Sequence, residues 1–213
     1  MRQRDFIYWV GRLHKLPLAF GQLLLPPVQQ LFQHDEYCAE LMESLRAVAA
    51  AALGEEAIAQ NMQYFNKPPG VGQPTPPHQD GYYFMLDPCE AVTMWFALED
   101  VDEENGCIRY LPGSHRNGMR EHSRTKTLGF SQGIVGYPTA LERESETPFP
   151  AKPGDLLVHD AMTIHRADGN RSMTRSRRAL GFIYYSERAR EDTQAHAAYQ
   201  RRLTKEMQSQ GKI

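Results

Sequence analysis

Residues 153–186, PGDLLVHDAMTIHRADGNRSMTRSRRALGFIYYS, read as short strands cut by turns. Pro153-Gly154 opens a turn, and Asp155–Asp160 is an apolar run. Thr163–Arg166 is a second run that carries a histidine, and Ala179–Ser186 is rich in aromatic and aliphatic residues. The same texture extends upstream through Ile58–Phe65, Ala91–Glu99 and Cys107–Leu111. Many short strands with punctuating turns build a sandwich or a jelly roll, which buries a cavity between two sheets. A mainly β fold with flanking helices is therefore expected.

The flanks differ in character. Residues 1–57 are expected to be helical, with Leu41, Met42, Leu45, Val48 and Ala49 at helical spacing between His34 and Ala52. Gly54 is a natural helix stop, and Pro26-Pro27 breaks the stretch before it. The connection from Asn117 to Pro150 is polar and contains Gly and Pro, as a lid or binding loop does. Residues 187–213 form a charged tail expected to be helical. With 213 residues and 41% hydrophobic content, the chain suits one domain over 1–213, with 58–186 as its β core.

A net charge of −2 gives no general basic face for nucleic acid, so no nucleic-acid partner is expected. Cys38, Cys89 and Cys107 are widely spaced and odd in number, which suits reduced thiols better than a disulfide framework. The N-terminus mixes charges into its apolar residues, unlike a secretory signal. The longest apolar stretch, Ala47–Leu53, is too short for a membrane span. A cytoplasmic protein without membrane contact is expected.

PPHQDGYYF, residues 76–84, is the sharpest local feature. On an extended strand, His78 and Asp80 leave the same face and offer a divalent metal two adjacent ligands. His165 from another strand would complete two histidines and one carboxylate, with open positions for co-substrate and dioxygen. Alone, such a pair is more often a hydrogen-bonded loop pair than a metal site. Twelve residues after His165 comes Arg177. A guanidinium there suits the distal carboxylate of 2-oxoglutarate, whose keto acid end chelates iron. Within the basic run Arg171, Arg175, Arg177 and Arg178 it also reads as a surface charge. His159 reads as a packed or backbone-bonded strand histidine. Tyr82 shares the His78/Asp80 face by alternation and Tyr83 points away; Arg109, His115 and His122 are further candidates for the cavity mouth.

Taken in order, QYFNKPPG (63–70), PPHQDGYYF, VTMWFALEDVDEENGCIRYLPGSH (92–115), KPGDLLVHDAMTIHRADGNRS and RRAL (177–180) resemble the phytanoyl-CoA dioxygenase-like oxygenases, particularly bacterial members. The resemblance covers about residues 58–186. It implies a double-stranded β-helix, with Fe(II) on His78, Asp80 and His165, and with 2-oxoglutarate and O2 as co-substrates. It assigns Arg177 to the far carboxylate of 2-oxoglutarate, and Trp95 and Gln63 to the same pocket. Tyr82, Arg109 and His122 are left for a small-molecule substrate. It further implies hydroxylation, because halogenating relatives lack the carboxylate that Asp80 supplies. One departure stands out: many relatives carry a hydroxyl two residues after the distal histidine, and Ala167 occupies that position.

Overall fold

The computed structural model describes residues 7–10 (backbone only), 30–127 and 130–209. In chain order its elements are β1 (Ile7–Val10), α1 (Glu36–Leu53), β2 (Ala57–Lys67), β3 (Thr75–His78), the single turn α2 (Gly81–Phe84), β4 (Leu86–Asp87), β5 (Ala91–Ala97) and β6 (Ile108–Tyr110). Then follow β7 (His122–Thr127), β8 (Phe130–Ile134), α3 (Ala140–Ser145), β9 (Thr147–Phe149), β10 (Leu156–Asp160), β11 (His165–Ala167), β12 (Arg177–Ser186), β13 (Arg190–Glu191) and α4 (Thr193–Ser209).

Two sheets face each other. The larger has the order β1-β10-β5-β12-β2, and the smaller β3-β11-β6-β9. Alternation along each strand decides what each face does. On β5, Val92, Met94 and Phe96 face α1, while Thr93, Trp95 and Ala97 face the other sheet. The α1 side is the main apolar core, where Leu41, Met42 and Leu45 pack with Met62, Phe96, Leu180, Phe182 and Tyr184. Each of those three helix residues is 4% exposed or less, and burying each contributes roughly 1.5–3 kcal/mol. The helix starts at Asp35, whose side chain accepts from Cys38 N, and stops at Gly54 in the left-handed region at φ 78°. Between the sheets Trp95, Leu157 and Ala179 pack with Ile108, Tyr110 and Ala151. This is the jelly roll expected from the strand texture.

Three expectations need correction. The N-terminal part is not all helical: Ile7–Val10 is an edge strand antiparallel to β10, with Ile7 opposite His159. Its sequence, IYWV, is aromatic and β-branched, which suits a strand; the charges around it hid the signal. Residues 11–29, including Pro26-Pro27, lie outside the described residues. The 117–150 connection is also not simply a loop, since it holds the β7–β8 hairpin, α3 and β9. Thr139 and Glu142 cap α3 reciprocally. Lastly, Asp80 is not on an extended strand. β3 ends at His78, and Asp80 has helical backbone angles, φ −59° and ψ −36°. Among the described residues no helix is long and apolar enough to cross a membrane.

Candidate metal centre

The smaller sheet brings the two histidines together. β3 and β11 are antiparallel with His78 opposite His165, and the ring centroids lie 4.2 Å apart. The chain then turns helical after Gln79 and carries the Asp80 carboxylate across both rings. Asp80 Oδ1 is 3.3 Å from His78 Nε2 and 3.7 Å from His165 Nε2. One ligand atom from each residue lies within 4.8 Å of the others.

Each ring is fixed by its other nitrogen. His78 Nδ1 is 2.8 Å from Pro76 O, and His165 Nδ1 is 2.9 Å from Thr163 O. A carbonyl only accepts, so both Nδ1 atoms carry the proton and both Nε2 lone pairs face Asp80 Oδ1. The second carboxylate oxygen is tied back. Thr93 Oγ1 donates to Asp80 Oδ2 at 2.6 Å, and His159 Nε2 lies 3.2 Å from the same atom. His159 therefore donates from Nε2 and accepts at Nδ1 from the Tyr110 hydroxyl, 2.9 Å away. Sequence reading left His159 as a packed or backbone-bonded strand histidine; it is buried, and its ring bonds side chains.

Protonation states follow from burial. Burial opposes charge on Asp80, but the histidines around it, His165 foremost and His159 through its hydrogen bond, hold the carboxyl well below its usual range. Burial, with His78 and His159 beside it, holds the His165 imidazole well below its usual value. An anionic carboxylate beside a neutral imidazole is what a cation requires.

Gln79, between the two motif residues, is 0% exposed and fully committed. Its amide donates to Gly118 O and Met162 O, and its carbonyl oxygen accepts from Arg120 N at 2.8 Å. It locks the turn that aims Asp80. The helical turn also removes the alternation expected for the tyrosines. Tyr83 does not point away from the site: its ring is edge-on to His78 at 6.0 Å and its hydroxyl donates to Gln132 O. Tyr82 stacks on His122 at 4.2 Å.

Further along the inner face of the larger sheet lie the residues expected for the co-substrate. Gly181 is opposite both Trp95 and Gln63, so the three form one row. Arg177 is 4% exposed. Its Nε donates to Gly106 O at 3.2 Å, and the guanidinium lies 5.4 Å from the Trp95 ring centroid. No carboxylate among the described residues pairs with it. Arg178 points to the opposite face and pairs with Glu99, which settles the orientation of the two neighbours. Ala167 is buried and offers only a methyl group.

Two residues expected at the substrate mouth have their polar atoms engaged by the protein itself. Arg109 alternates with Tyr110 and faces outward, where it pairs with Asp168 and Glu103. His122 accepts from Gln79 N at Nε2 and donates from Nδ1 to Arg120 O. Its polar atoms are spent on holding the metal turn, so it is a positioning residue. Sequence reasoning missed Thr93, Tyr110 and Gln79. Thr93 was findable, since it sits two residues before Trp95 on the same strand face.

The chain matches the sequence profile of the family described as phytanoyl-CoA dioxygenase (PhyH) over residues 20–179. It is 32% identical over 157 residues to phytanoyl-CoA dioxygenase 1 of Oryza sativa subsp. japonica, covering 73% of this chain and 52% of that one. To the peroxisomal phytanoyl-CoA dioxygenase of Homo sapiens it is 29% identical over 172 residues, covering 75% and 49%. The chain thus spans about half the length of the curated relatives it matches. Among solved structures, EvdO2 from Micromonospora carbonacea var. aurantiaca complexed with 2-oxoglutarate superimposes with a TM-score of 0.65 at 27% identity, covering 87% of this chain and 79% of that one. SnoK, a non-heme alpha ketoglutarate dependent carbocyclase from nogalamycin biosynthesis, gives a TM-score of 0.64 at 26% identity, covering 81% and 69%. With its paired histidines, its carboxylate and a profile match across most of its length, the chain belongs to the phytanoyl-CoA dioxygenase family.

Proposed function

We propose that this protein is an Fe(II)- and 2-oxoglutarate-dependent dioxygenase that hydroxylates an unactivated C–H bond of a small organic or acyl substrate, releasing succinate and CO2. The observation that carries this is the convergence of His78 Nε2, His165 Nε2 and Asp80 Oδ1 on one point, with every other polar atom of the three side chains tied to a partner. Two imidazoles and one carboxylate suit Fe(II) and leave coordination positions open. When bound, the iron with its co-substrate supplies the oxidising chemistry.

The chain's own residues bind and orient. Arg177 would take the distal carboxylate of 2-oxoglutarate, since it is buried, cationic and, among the described residues, paired with no carboxylate. Trp95 would wall the pocket beside it, with Gln63 at the end of the row. His159 and Thr93 would keep Asp80 Oδ2 off the metal, so that Asp80 Oδ1 is the ligating oxygen. Tyr82, with no hydrogen bond to its hydroxyl among the described residues, is retained as a substrate candidate. A metal-dependent isomerase or hydrolase on the same scaffold has no use for a buried Arg177 that pairs with no carboxylate among the described residues. A non-catalytic binding module has no reason to aim two imidazole lone pairs at one carboxylate oxygen. The reducing cytoplasm suits three free thiols, of which Cys38 and Cys107 are buried.

The likeness to SnoK, a carbocyclase, makes ring closure the second reading. Product mass separates the two, because hydroxylation adds one oxygen and ring closure removes two hydrogens. The first experiment is a screen of acyl thioesters and polycyclic natural products for substrate-stimulated succinate formation. Succinate that no substrate stimulates and that survives His78→Ala would overturn the proposal.

A further inference from the structure

Lys67 is a lysine in an unusual place. It is the last residue of β2 and sits opposite Arg177 in the antiparallel ladder, with both side chains on the inner face. Lys67 is 7% exposed and Arg177 4%. Neither pairs with a carboxylate among the described residues. The Lys67 amine donates to Asp168 O at 2.8 Å, and Arg177 Nε to Gly106 O. Those two acceptors belong to adjoining backbone, since a Cβ on Gly106 would fall 2.5 Å from Asp168 O. The nearby Asp168 carboxylate is already held by Arg109 and Arg166.

Like charges directly opposite each other on a sheet are destabilising, and buried unpaired ones more so. A fold that keeps both has a use for an anion between them. The amine's acceptor belongs to Asp168, the residue after Ala167 in the chain, and at Ala167 relatives place a hydroxyl against the co-substrate where this chain has a methyl group. We propose that Lys67 is the second cation of the co-substrate pocket. It closes with Arg177 on the distal carboxylate of 2-oxoglutarate and makes the site selective for a dianionic 2-oxo acid. The inference rests on the assignment of Arg177 above.

Proton linkage follows. Burial, then the charge of Arg177, pushes the free amine down to about 6. A carboxylate against it would restore the charge, so binding at pH 7.5 takes up close to one proton. Affinity for 2-oxoglutarate then falls as pH rises above about 6, by nearly tenfold per unit. A monoanionic 2-oxo acid chelates the metal in the same way but gives the amine no partner.

The test is calorimetric titration of the Ni(II)-loaded protein with 2-oxoglutarate and with 2-oxopentanoate, in buffers of different ionisation enthalpy. Wild type should take up about one proton more with 2-oxoglutarate. Lys67→Met should lose roughly 10–100-fold in affinity for 2-oxoglutarate and none for 2-oxopentanoate. Lys67→Arg should bind 2-oxoglutarate without the extra proton. Equal weakening for both acids would make Lys67 a structural residue and overturn the inference, as would unchanged binding in Lys67→Met. Equal proton uptake for the two acids in wild type overturns it without any variant. If wild type fails to bind 2-oxoglutarate at all, the Arg177 assignment falls first and takes Lys67 with it.

Discussion

Replacing Thr93 by valine tests whether the site depends on its supporting shell. Thr93 Oγ1 donates to Asp80 Oδ2 at 2.6 Å, inside a strand whose register is set on both sides by β10 and β12. Valine keeps the shape and the β-branch and removes only the donor. A hydrogen bond to a charged acceptor contributes about 1.5–3 kcal/mol. After the loss, Asp80 Oδ2 keeps only His159 among the described residues, at 3.2 Å. The carboxylate is then free to rotate about its last bond, and Oδ1 no longer points only at the histidine nitrogens. At about 1.4 kcal/mol per factor of ten, metal affinity should fall roughly 10–100-fold. Thr93→Ser, which retains the donor, should recover most of it. Chelator competition with Co(II) gives the affinity, and thermal melts of metal-free protein report the fold. Unchanged affinity in Thr93→Val, with an intact fold, would refute the claim that this bond orients Asp80.

Arg177→Gln should weaken 2-oxoglutarate binding by roughly 10–100-fold, while Arg178→Gln, on the opposite face, leaves it alone; calorimetry on both variants checks the orientation. Lys67→Met should stabilise the co-substrate-free protein at pH 7 by about 1 kcal/mol or more. The folded amine titrates near 6 against 10.5 for an ordinary lysine, so the unfolded chain binds more protons between those values. Wild-type stability from this group therefore rises with pH across that window, and the variant's chemical denaturation curves should lose that slope. Glu146, only 4% exposed at its side chain, accepts from Arg166 Nε and Nη2 and from the Tyr137 hydroxyl. Glu146→Ala should cost about 1–3 kcal/mol, discounted because Arg166 is a quarter exposed, and should speed proteolysis within residues 117–150.

The sequence held the site's outline because its parts are local. His78 and Asp80 are two residues apart, and His165 and Arg177 follow on consecutive strands. Strand alternation places Arg177 inward with Ala179, and Arg178 outward with Leu180. What stayed hidden depends on distant partners. The bond from His159 to Asp80 spans 79 positions, and nothing near His159 announces it. The turn at Asp80 is set by Gln79 reaching Gly118, Arg120 and Met162, three contacts made across loops. That turn overrode the alternation from which Tyr82 and Tyr83 were read. The partners of Arg109 were hidden in the same way, since Asp168 follows β11 and Glu103 lies in a turn. The 117–150 segment looked like a loop because its order comes from a capped turn of helix and from ion pairs, not from an apolar period.

The most direct test of the central claim is the visible spectrum of anaerobic protein titrated with Fe(II) and then with 2-oxoglutarate. Chelation by the keto acid on an iron held by His78, Asp80 and His165 should give a metal-to-ligand charge-transfer band that saturates at one equivalent of iron. His78→Ala should abolish it. Absence of the band in wild type at saturating iron and 2-oxoglutarate, or its persistence in His78→Ala, would contradict the assignment.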